Sequence, residues 1–459
     1  MIRIMTGRTP WHLLGVCFLT ATLAACGGGS GGGSASGPTA DTSTSSAEIT
    51  DNSTNRADQT DAINEAVASG AGAVELCSVP DINRWVDERM RDTYIYYDQV
   101  PVLDLDEFTD PVTLVRALRV DPDIYSSLVD QARDEELIIN SSVTRFGFWL
   151  QQASDGRQHF ASISGNSPME AAGIKRGDEL VAINGVLIDE ITNDLWNEFV
   201  VGDIGEELTA VYTVRSGAAA PEDFTVTKAT YTESTVPVAR TFEETNNQVG
   251  YLHVNAFRAT TTDEIDSAMQ SLADAGISEL ILDLRYNGGG FTRVARQLAS
   301  QIVGGAFVDQ VYSKRVFNDK YSDFNLDQVI EPQLINLNLS RLVVLTTAST
   351  ASASETLING LAPLIDVVVI GIPTEGKPFT SVAQDYCGMR LNAMSTITTN
   401  GVGDSVLLGI EPTCRVIDDF LAPTDSLDDA LTGAAFNFLQ TGACPAVQSS
   451  AQPLLNRQG

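Results

Sequence analysis

The sequence predicts a multidomain α/β protein, and three observations carry that expectation. From about residue 240 to 440, apolar strand-like runs alternate with helical stretches, the pattern of an α/β core. Between about residues 81 and 130, Ile82, Val86, Met90 and Tyr94 recur every four positions and define one helical face. The chain has 459 residues, 43% of them hydrophobic, which suffices for two or three separate cores.

The N-terminus reads as a removable leader. Arg3 and Arg8 precede a mostly apolar run, Trp11 to Leu23, too short to span a bilayer comfortably. Leu23-Ala-Ala-Cys26 closes it and resembles a bacterial lipoprotein box, in which the cysteine is acylated and becomes the first mature residue. A plain secretory leader cut near the same place is the alternative. Acylated Cys26 would hold the chain to a lipid bilayer, and Gly27 in place of Asp points to an outer membrane. The expected location is therefore a bacterial cell envelope, with the protein facing the periplasm. Residues 26–60, rich in Gly, Ser, Thr and Ala, cannot bury a core and read as a flexible tether.

A helical region follows over residues 61–138. Pro101, Pro111 and Pro122 divide it into short helices, and Trp85, Tyr94, Tyr96 and Tyr97 read as its core. Asp104-Leu-Asp106-Glu107 lacks the glycine and closing glutamate of a calcium loop and reads as a solvated turn. In the α/β region, Val249 to Phe257 forms a strand and Thr262 to Ala275 a helix. Glu279 to Arg285 forms a second strand that runs into Tyr286-Asn287-Gly288-Gly289-Gly290. His253 alternates with apolar neighbours and reads as structural.

Several function classes drop out. A formal charge of −32 argues against a nucleic-acid partner, which needs a basic patch. No cysteine or histidine spacing suits zinc. The triglycine segment lacks both the Gly-Lys-Ser/Thr of a phosphate loop and the last glycine of a dinucleotide fingerprint. Neither a metal nor an organic cofactor is expected.

The chemistry concentrates in Ser349-Thr-Ala-Ser-Ala-Ser-Glu355 and Thr374-Glu-Gly-Lys377. A serine hydroxyl becomes a nucleophile only when a base takes its proton. The chain has three histidines, His12 in the leader and His159 and His253 in distant segments. A lysine serves as base if burial lowers its pKa, and the apolar run Val367 to Ile370 leads up to Lys377. Ser352-x-x-Glu355 is equally a helix capping box, which needs no chemistry to exist.

Four cysteines remain once Cys17 leaves and Cys26 is acylated: Cys77, Cys387, Cys414 and Cys444, with three possible pairings. Asn400-Gly401 between strand-like runs is a strong two-residue hairpin signal. Cys387 and Cys414 lie equally far from that turn, so a regular hairpin places them opposite each other and leaves Cys77 to pair with Cys444.

With these residues in view, the chain resembles the carboxyl-terminal processing (tail-specific) serine peptidases over residues 77 to 445, in a lipoprotein branch. The resemblance implies a ClpP/crotonase-like α/β catalytic domain over residues 235–445, followed by a tail, 446–459. Ser352 would be the nucleophile and Lys377 its base. Backbone N–H groups of Ala353, Gly288 and Gly289 would form an oxyanion hole, and Asp283, Arg285 and Glu355 would support the site geometry. Residues 139–234 resemble a PDZ domain, β-sandwich-like in form, most specifically over Ser167 to Gly185. Arg145-Phe146-Gly147-Phe148 resembles the loop that receives a peptide's terminal carboxylate, and a PDZ domain that only packs on and gates its neighbour is the alternative. The implied function is cleavage of extended or C-terminally tailed polypeptides; the alternative is a catalytically inert peptide-binding scaffold. One departure stands out: many relatives carry a glutamine four residues after the lysine, where this chain has Ser381, with Gln384 out of register. Substrate identity, cleavage preference and oligomeric state are not written in these residues.

Overall fold

A computed structural model describes residues 77–153, 156–202, 207–245 and 248–445, and the backbone of Asn456–Gln458. Cys26, the tether and residues 61–76 lie outside the described residues.

The first region comprises α1 (Val79–Asp92), α2 (Pro111–Leu118), β1 (Ser127–Asp130) and α3 (Gln131–Asn140). Helix α1 starts with a proline in its first turn and ends with Arg89 and Arg91 in its last, both favourable placements. Its four-residue repeat buries Ile82, Val86 and Met90, and Tyr94 is buried just past the helix end. This apolar face does not close a core of its own. It packs with Leu114, Val115, Leu118 and Leu128 against Phe379, Leu391 and Met394 from the far end of the chain.

The second region comprises β2 (Ser142–Arg145), β3 (Phe148–Gln152), β4 (Gln158–Ile163), α4 (Pro168–Ala171), β5 (Glu179–Ile183), β6 (Val186–Leu187), α5 (Asn193–Trp196), β7 (Thr209–Arg215), β8 (Glu222–Thr227) and β9 (Ala229–Thr232). β3, β4, β5, β7 and β8 form an antiparallel sheet in that order, with β6 on β5, while β2 pairs with β9. Period-two alternation along β3 and β7 turns Phe148, Leu150, Ala210, Tyr212 and Val214 into one core with Phe146, Phe160 and Trp196.

The third region begins with β10 (Val238–Thr241), β11 (Val249–His253), α6 (Thr261–Ala275), β12 (Glu279–Asp283), α7 (Thr292–Val303), β13 (Val311–Phe317) and β14 (Leu326–Val329). It continues with β15 (Arg341–Thr346), α8 (Ala353–Leu361), β16 (Asp366–Gly371), β17 (Phe379–Ser381), β18 (Gln384–Tyr386), β19 (Met389–Asn392), β20 (Met394–Asn400), β21 (Cys414–Arg415) and α9 (Ala430–Thr441). Its centre is a six-stranded sheet, β10-β11-β12-β15-β16-β21, parallel from β11 to β21. Both faces are covered, so the strands read as unbroken apolar runs. Leu280 and Leu282 face α6, α7 and α8, while Ile281 faces α9. A four-stranded sheet, β14-β13-β20-β17, flanks this core. β1 of the first region joins β19 and β18 in a third sheet. Finally β22 (Asn456–Gln458) pairs antiparallel with the free edge of β3.

The disulfides correct the sequence-based pairing. Cys77 bonds Cys387 and Cys414 bonds Cys444. The expectation failed because Asn400-Gly401 does not turn a hairpin between the two cysteine-bearing segments: β20 pairs with β13 and β17. The tight hairpin is Cys387-Gly388 itself, joining β18 to β19 with φ +52° and +73°, the left-handed pair a type I′ turn requires. Cys414 lies in the parallel sheet beside Ile370. The first bond ties the start of α1 to the strands its core shares, and Trp85 stacks on Tyr386 beside it. Replacing Cys77 and Cys387 together by serine should lower unfolding stability by roughly 2–4 kcal/mol, read from denaturant melts. Non-reducing peptide mapping that recovered Cys387 linked to Cys414 would overturn this arrangement.

Candidate active site

Three loops leave the C-terminal ends of neighbouring parallel strands and meet. β12 ends in Leu284–Gly290, β15 in Thr347–Ser352, and β16 in Ile372–Lys377. In open α/β sheets this edge is where ligands bind, because parallel strands deliver their loops to the same side.

Ser352 is the N-cap of α8 and sits at φ +57°, ψ −114°, a conformation costly for a residue with a side chain. The turn before it is held from inside. Thr350 donates its hydroxyl to Leu284 O (2.9 Å), and its own N–H donates to Thr347 O (3.0 Å). Asn287, fully buried, couples this turn to the glycine loop. Its carbonyl accepts from Ala351 N–H and from the Ser354 hydroxyl, each at 3.0 Å, and its amide nitrogen donates to Val254 O (2.9 Å).

Glu355 joins serine and lysine. Its carboxylate is fully buried and accepts four hydrogen bonds. Oε1 receives the Thr374 hydroxyl (2.6 Å) and Gly376 N–H (2.7 Å); Oε2 receives Ser352 N–H (2.8 Å) and Lys377 N–H (2.9 Å). The backbones of Ser352 and Lys377 are thus held by one oxygen atom. A buried carboxylate is tolerated only when paired or fully hydrogen-bonded, and here every acceptor direction is used.

Lys377 Nζ lies over the ring of Tyr125, 4.8 Å from its centroid. Burial pushes the lysine below its ordinary pKa, against the raising pull of Asp123, Glu355 and Glu375. Tyr125 arrives from the first region on a loop pinned by Asp123, whose Oδ1 accepts from the N–H groups of Tyr125 (2.7 Å) and Ser126 (2.9 Å). Among the described residues neither His159 nor His253 hydrogen-bonds Ser352. His159 Nδ1 pairs with Gly177 O, and the buried His253 is pushed below its ordinary pKa by desolvation.

The oxyanion expectation divides. Gly289, at φ +107°, presses on Ser352: a Cβ built there would stand 2.8 Å from Ser352 Cβ and 3.0 Å from Ala353 N. Only glycine fits that approach. Its N–H, however, already donates to Asn287 Oδ1 (2.9 Å), so Gly289 gives space, not a donor. The N–H groups of Ala353 and Gly288 have no acceptor among the described residues. They remain available where the N-terminus of α8 adds its partial positive charge.

Asp283 and Arg285 lie behind the loop, fully buried. Arg285 bonds Asp283 (2.7 Å) and Asp429 (2.7 Å), the N-cap of α9. Arg176 reaches in from the second region to Asp418 (2.5 Å) and Asp429 (3.1 Å). Burial would raise Asp418, but Arg176 and Arg285 hold it down at about 2. Tyr286, between Arg285 and Asn287, donates its hydroxyl to Asp418 and stacks on Trp149 of β3 at 6.0 Å.

Of the Arg145–Phe148 loop, Arg145 is ion-paired to Glu233 (2.6 Å), and the side chains of Phe146 and Phe148 belong to the core. Its N–H groups at Phe146 and Gly147 have no acceptor among the described residues. Ser381 is exposed in β17, and Gln384 bonds Thr93 (2.9 Å); neither hydrogen-bonds Lys377. Sequence reasoning missed Tyr125, Asp123, Arg176, Asp418 and Asp429. Asn287 and Thr374 stood inside the quoted motifs without a role.

The model for Peptidase family S41 matches residues 248–416, and that for the Peptidase S41 N-terminal domain matches residues 81–127. The carboxy-terminal processing protease CtpA of Bacillus subtilis is 27% identical over 286 residues, 61% of this chain and 58% of its own length. A carboxyl-terminal-processing protease of Picosynechococcus is 29% identical over 285 residues, 60% of this chain and 64% of its own. The chain therefore spans less than two thirds of these relatives. The crystal structure of a candidate S41 protease from Bacteroides fragilis shares the fold, with a TM-score of 0.65 at 24% identity, covering 78% of this chain and 97% of that one. The chain thus carries segments that match Peptidase family S41 and its N-terminal domain, and the relatives it resembles are named carboxy-terminal processing proteases. It is a mixed α/β protein with an N-terminal helical segment.

Replacing Glu355 by glutamine keeps its shape but turns an amide NH2 toward two of the four donors. Stability should fall by roughly 3 kcal/mol or more, measured by denaturant unfolding. A variant as stable as the parent would show that the carboxylate does not hold the two segments together.

Proposed function

We propose that this chain is a serine endopeptidase of the carboxyl-terminal processing type, acting through a Ser352–Lys377 dyad. The observation that carries the reading is the shared Glu355 oxygen, which holds the strained serine and a half-buried lysine with a lowered pKa side by side. Ser352 Oγ attacks the scissile carbonyl while neutral Lys377 Nζ takes its proton. The new oxyanion accepts from Ala353 and Gly288 N–H. The lysinium then protonates the leaving amine, and water repeats the sequence on the acyl-enzyme. The catalytic domain is read as ClpP/crotonase-like and residues 139–234 as a PDZ domain. Acylation at Cys26 would tether the enzyme to a bacterial envelope membrane, facing the periplasm. The mature N-terminus, analysed by mass spectrometry from the native host, tests that attachment; an unmodified residue there refutes it.

The PDZ reading draws support from the edge of β3. Asn456–Gln458 adds to it as an antiparallel strand, with Gln458 opposite Trp149, running toward the free N–H groups of Phe146 and Gly147. A substrate C-terminus would bind by the same backbone pairing. Trp149 and Arg176 connect that strand and its domain to the glycine loop.

Ser352→Ala and Lys377→Ala should each reduce peptidase turnover at least 100-fold while leaving the melting temperature near the parent value. A fluorophosphonate probe should label Ser352 in the parent; absence of labelling, or full turnover in Lys377→Ala, refutes the dyad. Since the lysine works neutral, kcat/KM should rise with pH through the folded pKa of Lys377. That limb should lie below the ordinary lysine value. An unstructured substrate with a free apolar C-terminus should be cleaved several-fold better than its amidated twin. Equal cleavage would make the PDZ domain a structural or gating module.

A further inference from the structure

We propose that Tyr125 is the positioning residue of Lys377, roofing the amine with its ring and filling the place that no polar side chain of the β17–β18 segment reaches. The inference rests on the dyad reading and deepens it.

The geometry is specific. Lys377 Nζ lies 4.8 Å from the Tyr125 ring centroid, and among the described residues it makes no hydrogen bond or ion pair. The ring is held at both ends. Its backbone N–H is bound by Asp123 Oδ1, and its hydroxyl donates to Glu375 Oε1 (3.2 Å), two residues before the lysine. The adjoining Ser126 fixes the loop further, accepting from Met394 N–H at 3.0 Å. Glu375 N–H in turn donates to Thr350 O (3.0 Å), inside the serine turn. Ser381 is exposed and Gln384 bonds Thr93, and neither hydrogen-bonds the amine.

Two effects of the ring oppose each other. Its face attracts the ammonium, which favours the charged form. Its bulk excludes water, which favours the neutral amine. Burial is the largest influence on Lys377, larger than the raising pulls of Asp123 on the Tyr125 loop, Glu355 on α8 and Glu375 on the lysine's own loop. Exclusion of water therefore wins, and removing the ring should make the lysine a harder group to deprotonate. A flat ring also lets the amine slide toward Ser352 without breaking a hydrogen bond, which a polar clamp would not allow.

The test compares the parent with Tyr125→Phe and Tyr125→Ala. The first readout is the pH profile of kcat/KM on an unstructured peptide. The second is the titration midpoint of Lys377, from competitive labelling with an amine-reactive reagent in a Ser352→Ala background, read by mass spectrometry. Phe keeps the ring and should keep both the profile and the midpoint. Ala should move the midpoint and the acid limb upward together by roughly half a unit or more, with a loss of about 3-fold or more at neutral pH that is recovered at high pH. An Ala variant with the parent midpoint, or one whose rate falls equally at every pH, overturns the proposal. If Ala lowers the melting temperature, Tyr125→Leu takes its place under the same criteria. The amine titration needs no turnover, so it decides the role of Tyr125 even if Ser352 proves inactive and the dyad reading fails.

Discussion

One buried carboxylate sets the geometry of this site. Glu355 takes hydrogen bonds from Ser352, Thr374, Gly376 and Lys377, donors on two loops that follow different strands. Leaving any acceptor direction empty in so buried a place would cost free energy, so the loops have little freedom to separate. The strain at Ser352 is sustained by this arrangement. At its positive φ the Ser352 N–H stays on the carboxylate. Asn287 repeats the logic on the other side, binding the serine turn through its carbonyl and the glycine loop through its side chain.

The parallel sheet makes these contacts possible, but it does not complete the site. Strands β12, β15 and β16 bring the glycine loop, the serine and the lysine to one edge. The cover over the lysine comes from the first region, whose apolar face closes on Phe379, Leu391 and Met394. The second region enters through Arg176, which pairs with Asp418, and Trp149, which stacks on Tyr286 of the glycine loop. All three regions therefore contribute contacts to the candidate site.

The α/β core was legible because parallel strands buried on both faces read as continuous apolar runs, and α6 follows its periodicity from Thr261 to Ala275. Helix α1 was legible for the same reason. The motif residues were legible through their local pattern: the Ser-x-x-Glu cap, the triglycine turn and the Thr-Glu-Gly-Lys loop. Two expectations misled. Asn400-Gly401 carries a hairpin's chemistry, but β20 finds its partners in β13 and β17, and tertiary pairing overrode the local turn signal. Gly289 counted as a donor because glycines allow close approach, yet the Asn287 side chain takes its N–H. Tyr125 left no local trace. Its relation to Glu375 spans 250 residues, and nothing in Asp123-Ile-Tyr-Ser126 announces it.

The central claim is that Ser352 and Lys377 meet under two backbone donors in a site built around Glu355. A crystal structure of the protein reacted with a peptidyl fluorophosphonate tests it most directly. The account predicts phosphorus bonded to Ser352 Oγ, the phosphoryl oxygen within hydrogen-bond distance of Ala353 and Gly288 N–H, and Lys377 Nζ turned from the Tyr125 ring toward Oγ. An adduct on another residue, a phosphoryl oxygen bound elsewhere, or a lysine directed away from the serine would contradict it.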